Sequence, residues 1–145
     1  KTLTALQASG AEAAESTQAF ISANASSEYA VLAALQLAKV QVEAGQLDAA
    51  LEQLNWIASN SKDESLIATA QVRAARIQAE QAQFDVALAT LTGVKPASWA
   101  ARVAELKGDI ALRQGDVATA RSDYTEALQA GMNQAVQMKL DDLAE

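Results

Sequence analysis

The sequence predicts an all-α solenoid of stacked helix pairs, and three observations carry that reading. Alanine makes up about a quarter of the 145 residues, beside one proline and six glycines. Alanine has the best helix propensity and lets backbones approach closely, whereas an aromatic content of 4% is poor material for sheets. The second observation is a corner at Gly115-Asp116. Glycine takes the left-handed conformation that ends a helix, and aspartate caps the amides of the next. The third is that this corner recurs, with Gly45 and Ala82 in the place of Gly115 at intervals of 37 and 33 residues. Seven residues before each anchor stand Ala38, Ala75 and Gly108. Five after stand Ala50, Ala87 and Ala120, and nine after stand Leu54, Leu91 and Tyr124.

A period near 34 residues, with small, small and large positions at fixed offsets, is the pattern of tetratricopeptide repeats. The expected architecture is a tetratricopeptide-repeat α-solenoid of about three repeats plus N- and C-terminal capping helices, wound right-handed with one concave face. Residues 1–27 form the N-terminal capping helix. Its apolar positions are Leu3, Leu6, Ala13, Phe20 and Ile21, its outer face carries Glu12, Glu15 and Gln18, and Gly10 weakens it. Asn24 to Ser27 stops this helix and caps the next. Repeat 1 covers 28–62, with Tyr29, Leu37, Ala38 and Val40 or their neighbours buried on its first helix and Ala50, Leu54 and Ile57 on one face of its second. The polar run Ser59 to Ser65 accounts for the longer first interval. Repeat 2 covers 63–97. Its corner, Gln81-Ala82-Gln83, lacks glycine, so the turn is strained or the register differs. Phe84 takes the place of Leu47 and Val117, Gly93 ends the second helix, and Lys95-Pro96 forces an extended link. Repeat 3 covers 98–131. Residues 132–145 form the C-terminal capping helix, which Asn133 caps, with Ala135, Met138 and Leu143 facing inward.

Catalysis finds little to work with. Histidine and cysteine are absent, which removes Ser-His-Asp and Cys-His machinery and the usual zinc sites. No glycine-rich phosphate loop occurs. The neighbouring carboxylates Asp63-Glu64 and Asp141-Asp142 read as solvated faces. A non-enzymatic protein without a cofactor is expected. The net charge of −7 and the pI near 4.5 speak against nucleic acid as a partner. No run approaches the ~18 apolar residues needed to cross a bilayer. Trp56 and Trp99 either fill seams between repeats or stand exposed as binding aromatics.

One feature rises above a generic surface. In tetratricopeptide domains the first helix of each repeat lines the concave groove. That projection places Leu32, Leu35, Gln36, Lys39 and Val42 there from repeat 1. Repeat 2 contributes Val72, Arg73, Arg76 and Glu80, and repeat 3 contributes Arg102, Glu105, Leu106, Asp109 and Arg113. Five of the eleven basic residues fall on this face: Lys39, Arg73, Arg76, Arg102 and Arg113. The second helices are acidic, with Asp48, Glu52, Asp85, Asp116, Asp123 and Glu126. A partner-binding groove made of Leu35, Lys39, Arg73, Arg76, Arg102, Leu106 and Arg113 would steer and hold an acidic or polar segment. The alternative is that arginine and glutamate simply pair along the helix faces. The carboxylate clamp that grips heat-shock chaperone C-termini needs asparagine where Lys39, Arg76 and Asp109 stand, so clamp function is not expected.

A closer likeness is carried by the string from Tyr29 to Ala38, YAVLAALQLA, and by Trp99-Ala100-Ala101. The Lys107-Gly108-Asp109 turn region with Gly115-Asp116 and the closing Gln137-Met138-Lys139-Leu140 add to it. From about Gln18 onward the chain resembles the periplasmic domain of the YfgM-type ancillary subunits of the Sec translocon. That resemblance implies a single-pass protein of the bacterial inner membrane with this domain in the periplasm. It also implies association with the SecYEG translocon and with a PpiD-like periplasmic chaperone, and a role in handling exported proteins. The start at Lys1, without methionine, fits a portion whose membrane anchor has been removed. The competing reading is a soluble tetratricopeptide-repeat adaptor scaffolding another cytosolic or envelope complex.

Overall fold

A computed structural model of the chain describes residues 10–23, 27–131 and 133–143. Among these residues there are eight α-helices, one 3-10 turn and no strand, as the composition requires. The helices are α1 (Gly10–Ala23), α2 (Glu28–Glu43), α3 (Leu47–Asn60), α4 (Glu64–Glu80), α5 (Phe84–Thr92), α6 (Ala100–Arg113), α7 (Val117–Ala130) and α8 (Gln134–Leu143). Each packs chiefly on the helix before and after it, so the chain is a serial stack of antiparallel pairs. This is the tetratricopeptide-type solenoid that the spacing implies.

Local chemistry sets the ends of these helices. Ser27 caps α2 by accepting the amide of Tyr29. Asp63 caps α4 through the amides of Ser65 and Leu66. Asp116 caps α7 through Thr119, and Asn133 caps α8 through Ala135 and Val136. Each such oxygen satisfies amides that the first helical turn leaves without partners. The link after Gly93 is extended at Pro96 and tightens into a single 3-10 turn, Ala97–Trp99, before α6 begins.

Three corners share one geometry. Gly45, Ala82 and Gly115 have φ of 79°, 62° and 81°, all in the left-handed region. At each corner the following amide reaches back across the helix end. Gln46 N donates to Gln41 O at 2.8 Å, Gln83 N to Gln78 O at 2.8 Å, and Asp116 N to Ala111 O at 2.9 Å. This closure satisfies carbonyls that would otherwise be orphaned. The register therefore does not differ at Ala82. The alanine takes the glycine conformation, at a cost of about 1–2 kcal/mol.

The small positions are the closest contacts of the stack. Ala50, Ala87 and Ala120 are fully buried, as are Leu54, Leu91 and Tyr124 beside them. In repeat 3 the pair is unusual: a methyl on Gly108 would lie 2.5 Å from Cε1 and 2.6 Å from Cδ1 of the Tyr124 ring. Repeats 1 and 2 place Ala38 with Leu54, and Ala75 with Leu91, in their cores. A bulkier second-helix residue in repeat 3 is matched by the loss of the methyl on the first. Apolar burial falls into three clusters, and neighbouring clusters share a helix. Ala70, Ala74 and Ile77 of α4 join the first cluster, and Val72, Ala75 and Ala79 the second. Leu106 and Ile110 of α6 join the second, and Ala104 and Ala111 the third.

Four polar links join groups 33 or 34 residues apart, about one repeat length. Glu28 accepts from Ser61 Oγ at 3.2 Å and from the Lys62 amide at 2.9 Å, which pins the long polar connection. Gln81 Nε2 donates to Asp48 at 2.9 Å. Arg113 Nη1 donates to Ala79 O at 2.6 Å, and Lys139 Nζ to Glu105 at 2.8 Å.

Three local readings are corrected. Tyr29 is 72% exposed, because α2 buries the stripe through Ala30, Val31, Ala34, Leu37 and Ala38 instead. On α8 the inward face is Val136, Leu140 and Leu143, packed in the third cluster, while Ala135 is exposed and Met138 is 61% exposed. Leu143 faces inward as expected, and Val136 and Leu140 take the places expected of Ala135 and Met138. Lys107-Gly108-Asp109 is no turn; it lies within α6. Of the N-terminal helix, Phe20 and Ile21 pack on the first cluster. Leu3 and Leu6, and the side chains of Glu12 and Ala13, lie outside the described residues.

Two stability measurements test this packing. Gly108→Ala is expected to cost about 1–3 kcal/mol by overpacking against the ring. Adding Tyr124→Leu, which copies the alanine–leucine pairs of the other repeats, is expected to recover part of that loss, with a coupling energy of ~0.5 kcal/mol or more in chemical denaturation. Strictly additive losses would mean that the ring does not dictate the glycine. Ala82→Gly is expected to stabilise by about 0.5–1 kcal/mol, the strain released less the entropy glycine adds to the unfolded chain. A lower melting temperature would contradict the strain.

Candidate functional site: a cationic cleft between the first helices of repeats 1 and 2

The first helices of repeats 1 and 2, α2 and α4, stand apart over a cleft of about 410 Å³. Its floor is apolar, formed by Ala38 and Val42 of α2, Ile77 of α4 and Leu54 of α3 rising between them. Its rim carries Lys39, Arg73, Arg76 and Glu43, all exposed. Helical spacing explains the grouping. Arg73, Arg76 and Ile77 are three and four apart on α4, as are Ala38, Lys39 and Val42 on α2, so each set shares one face.

Next to it, between α4 and α6, lies a second cleft of about 360 Å³, and Arg76 borders both. Its chemistry is the reverse. Lys139 reaches over from α8 and donates to Glu105 at 2.8 Å and to Asp109 Oδ1 at 3.0 Å. Tyr124 OH donates to the same Asp109 oxygen at 2.6 Å, and the Lys139 ammonium sits 5.9 Å from the centre of the Tyr124 ring. The acidic side chains of this cleft are thus neutralised from within the chain.

The seven expected groove residues part company here. Lys39, Arg73 and Arg76 meet at the first cleft. Arg113 is drawn into the second, bound to the Ala79 carbonyl and 3.8 Å from Glu80, with its guanidinium 5.3 Å from the Phe84 ring centre. Arg102 lines neither cleft; its guanidinium lies 4.8 Å from the centre of the Trp99 ring. Leu106 is buried in the second core cluster and Leu35 is half-buried against the first. Trp56 and Trp99 are both partly buried against core clusters. The residue that sequence reasoning missed is Lys139. A signal existed: it stands one repeat length, 34 residues, after Glu105.

The match to known proteins follows the same helix pattern. The tetratricopeptide repeat-like domain covers residues 1–145 in full. The chain belongs to the tetratricopeptide repeat-like domain family. Three relatives within reach of this tetratricopeptide repeat-like chain carry the name ancillary SecYEG translocon subunit. That of Haemophilus influenzae is 34% identical over 127 residues, 86% of this chain and 62% of its own length. The Escherichia coli K12 protein is 32% identical over 120 residues, 80% and 58% of the two chains. The Aggregatibacter actinomycetemcomitans protein is 36% identical over 133 residues, 90% and 65%. The chain therefore spans about three fifths of the length of these curated relatives. No helix among the described residues is long and apolar enough to cross a membrane.

The Lys139 cluster has a pH signature. Burial opposes the charge on Lys139, but its hydrogen bonds to Glu105 and Asp109 outweigh that and raise its pKa. Burial, then the hydrogen bond to Asp109 and its negative charge, raise the pKa of Tyr124. Both groups are raised above their unfolded values, so their stabilisation is complete below those values and is lost as pH rises. Stability is expected to decline above about pH 10, where unfolded tyrosine and lysine begin to titrate. Tyr124→Phe is expected to flatten that decline in urea titrations, and an unchanged slope would remove the tyrosine from the account.

Proposed function

We propose that this chain is a non-enzymatic protein-interaction domain that serves as part of an ancillary subunit of the Sec translocon. The observation that carries this reading is the 32–36% identity over 80–90% of the chain to proteins named for that role. A stack of helix pairs with an open, partly apolar cleft is suited to holding another polypeptide rather than transforming it, and the chain contains no histidine or cysteine. In this reading the domain sits on the periplasmic side of the bacterial inner membrane and is carried there by a single-pass anchor. It links SecYEG to a PpiD-like chaperone and assists the handling of exported proteins. Binding draws on a preformed surface, so little conformational entropy is lost on association.

Affinity capture from detergent-solubilised envelopes tests this. The tagged chain is expected to retain SecY, SecE or SecG subunits, and a tetratricopeptide-repeat domain of unrelated sequence is not. Equal recovery on both, or none on either, would set the translocon reading aside.

A further inference from the structure

Lys39, Arg76 and Asp109 occupy one and the same position in successive repeats, six residues before the corners at Gly45, Ala82 and Gly115. In repeat 3 the charge at this position is answered: Asp109 receives the Lys139 ammonium at 3.0 Å and the Tyr124 hydroxyl at 2.6 Å. In repeats 1 and 2 the sign is reversed, and no ion pair from a described residue answers it. Among the described residues no carboxylate lies within 4.0 Å of Lys39, Arg73 or Arg76. Three unmatched cations beside a single carboxylate, Glu43, around one apolar floor are out of keeping with a chain of net charge −7. The other three arginines are engaged, Arg102 on Trp99, Arg113 on Ala79 and Arg121 on the Leu143 carbonyl at 3.1 Å, whereas Lys62, Lys95 and Lys107, like the rim cations, have no carboxylate within 4.0 Å among the described residues.

We propose that the cleft between α2 and α4 receives an acidic segment of a partner protein. One large apolar side chain of that segment seats on Val42, Leu54 and Ile77, and carboxylates flanking it pair with Lys39, Arg73 and Arg76. The proposal rests on the protein-binding reading above and specifies the chemistry of what is bound. A cleft of about 410 Å³ lies at the small end of the range for ligand sites, so it takes a single anchor rather than a long hydrophobic stretch. Desolvated by that anchor, the rim cations gain strength for bidentate pairing with carboxylates, the geometry arginine serves best. The remaining acidic surface, including Asp48, Glu52 and Asp85 on the second helices, repels such a segment everywhere else. It thereby fixes where the segment docks.

The test is fluorescence anisotropy with the whole chain and three short labelled peptides. One carries a single leucine among glutamates, one the same leucine among lysines, and one an alanine in place of the leucine among glutamates. Saturable binding of the first alone is expected. Arg73→Glu/Arg76→Glu is expected to weaken it by about tenfold or more, and Lys39→Glu to do so to a lesser degree, with added salt weakening all of them. Circular dichroism melts of these exposed-site variants are expected to match the wild type. Equal binding of the lysine peptide, or indifference to Arg73→Glu/Arg76→Glu, overturns the proposal. So does loss of phosphatidylglycerol-vesicle binding in the same variant with no peptide binding by the wild type. Translocon capture is read separately. Capture without peptide binding removes the cleft assignment and leaves the adaptor reading standing, while peptide binding without capture does the reverse.

Discussion

The close approach of paired helices is the constraint on which the rest of this structure depends. Backbones can come together only where side chains are small, and the fully buried Ala50, Ala87 and Ala120 mark those places once per repeat. The facing positions must then be filled to native density, because interiors tolerate neither voids nor overlap. Repeats 1 and 2 solve this with alanine and leucine. Repeat 3 solves it with Gly108 under the Tyr124 ring, and the change has consequences beyond packing. A tyrosine brings a hydroxyl, which finds Asp109, and Asp109 in turn orders Lys139 of the last helix. One substitution in the packing pattern thus builds the polar seam that fastens α8 to the stack.

Helix pairs stacked in this way have no single centre. The three apolar clusters are separate but share α4 and α6, so each repeat is stabilised chiefly by its neighbours. Polar links at one-repeat spacing reinforce the same joints. Their distribution is uneven, and that unevenness matters for function. From α4 to α8 the charged side chains of the first helices are largely spent on holding the stack together. Between α2 and α4 they are not, and it is there that an apolar floor faces solvent beside Glu43 and three cations that no carboxylate among the described residues pairs. The proposed binding surface therefore lies in the N-terminal half.

The candidate site was only partly legible beforehand. Helical spacing alone groups Lys39 with Val42 and Arg73 with Arg76, since each set lies within one turn of one helix. It does not reveal that Arg113 will reach the Ala79 carbonyl or that Arg102 will cover Trp99, because those partners come from other elements. Long, flexible cations go to whichever acceptor the fold brings within reach. The same limit holds for α8. Ala135 and Met138 are apolar enough to face inward, but Val136 and Leu140 pack in the third cluster instead, on the helix whose Lys139 reaches Glu105.

What the sequence by itself determined was the helix pairing and its register. The anchors Gly45, Ala82 and Gly115 and the small residues around them are local signals: backbone conformation and close contact leave little choice of residue. Even the alanine at the second corner keeps its place, since the packing on both sides holds it in the left-handed conformation at φ 62°. What only the tertiary structure decided was which charges are spent and which remain free. That depends on distances between helices about 34 residues apart in the chain, and electrostatic pairing acts over a few ångströms that no sequence spacing can specify.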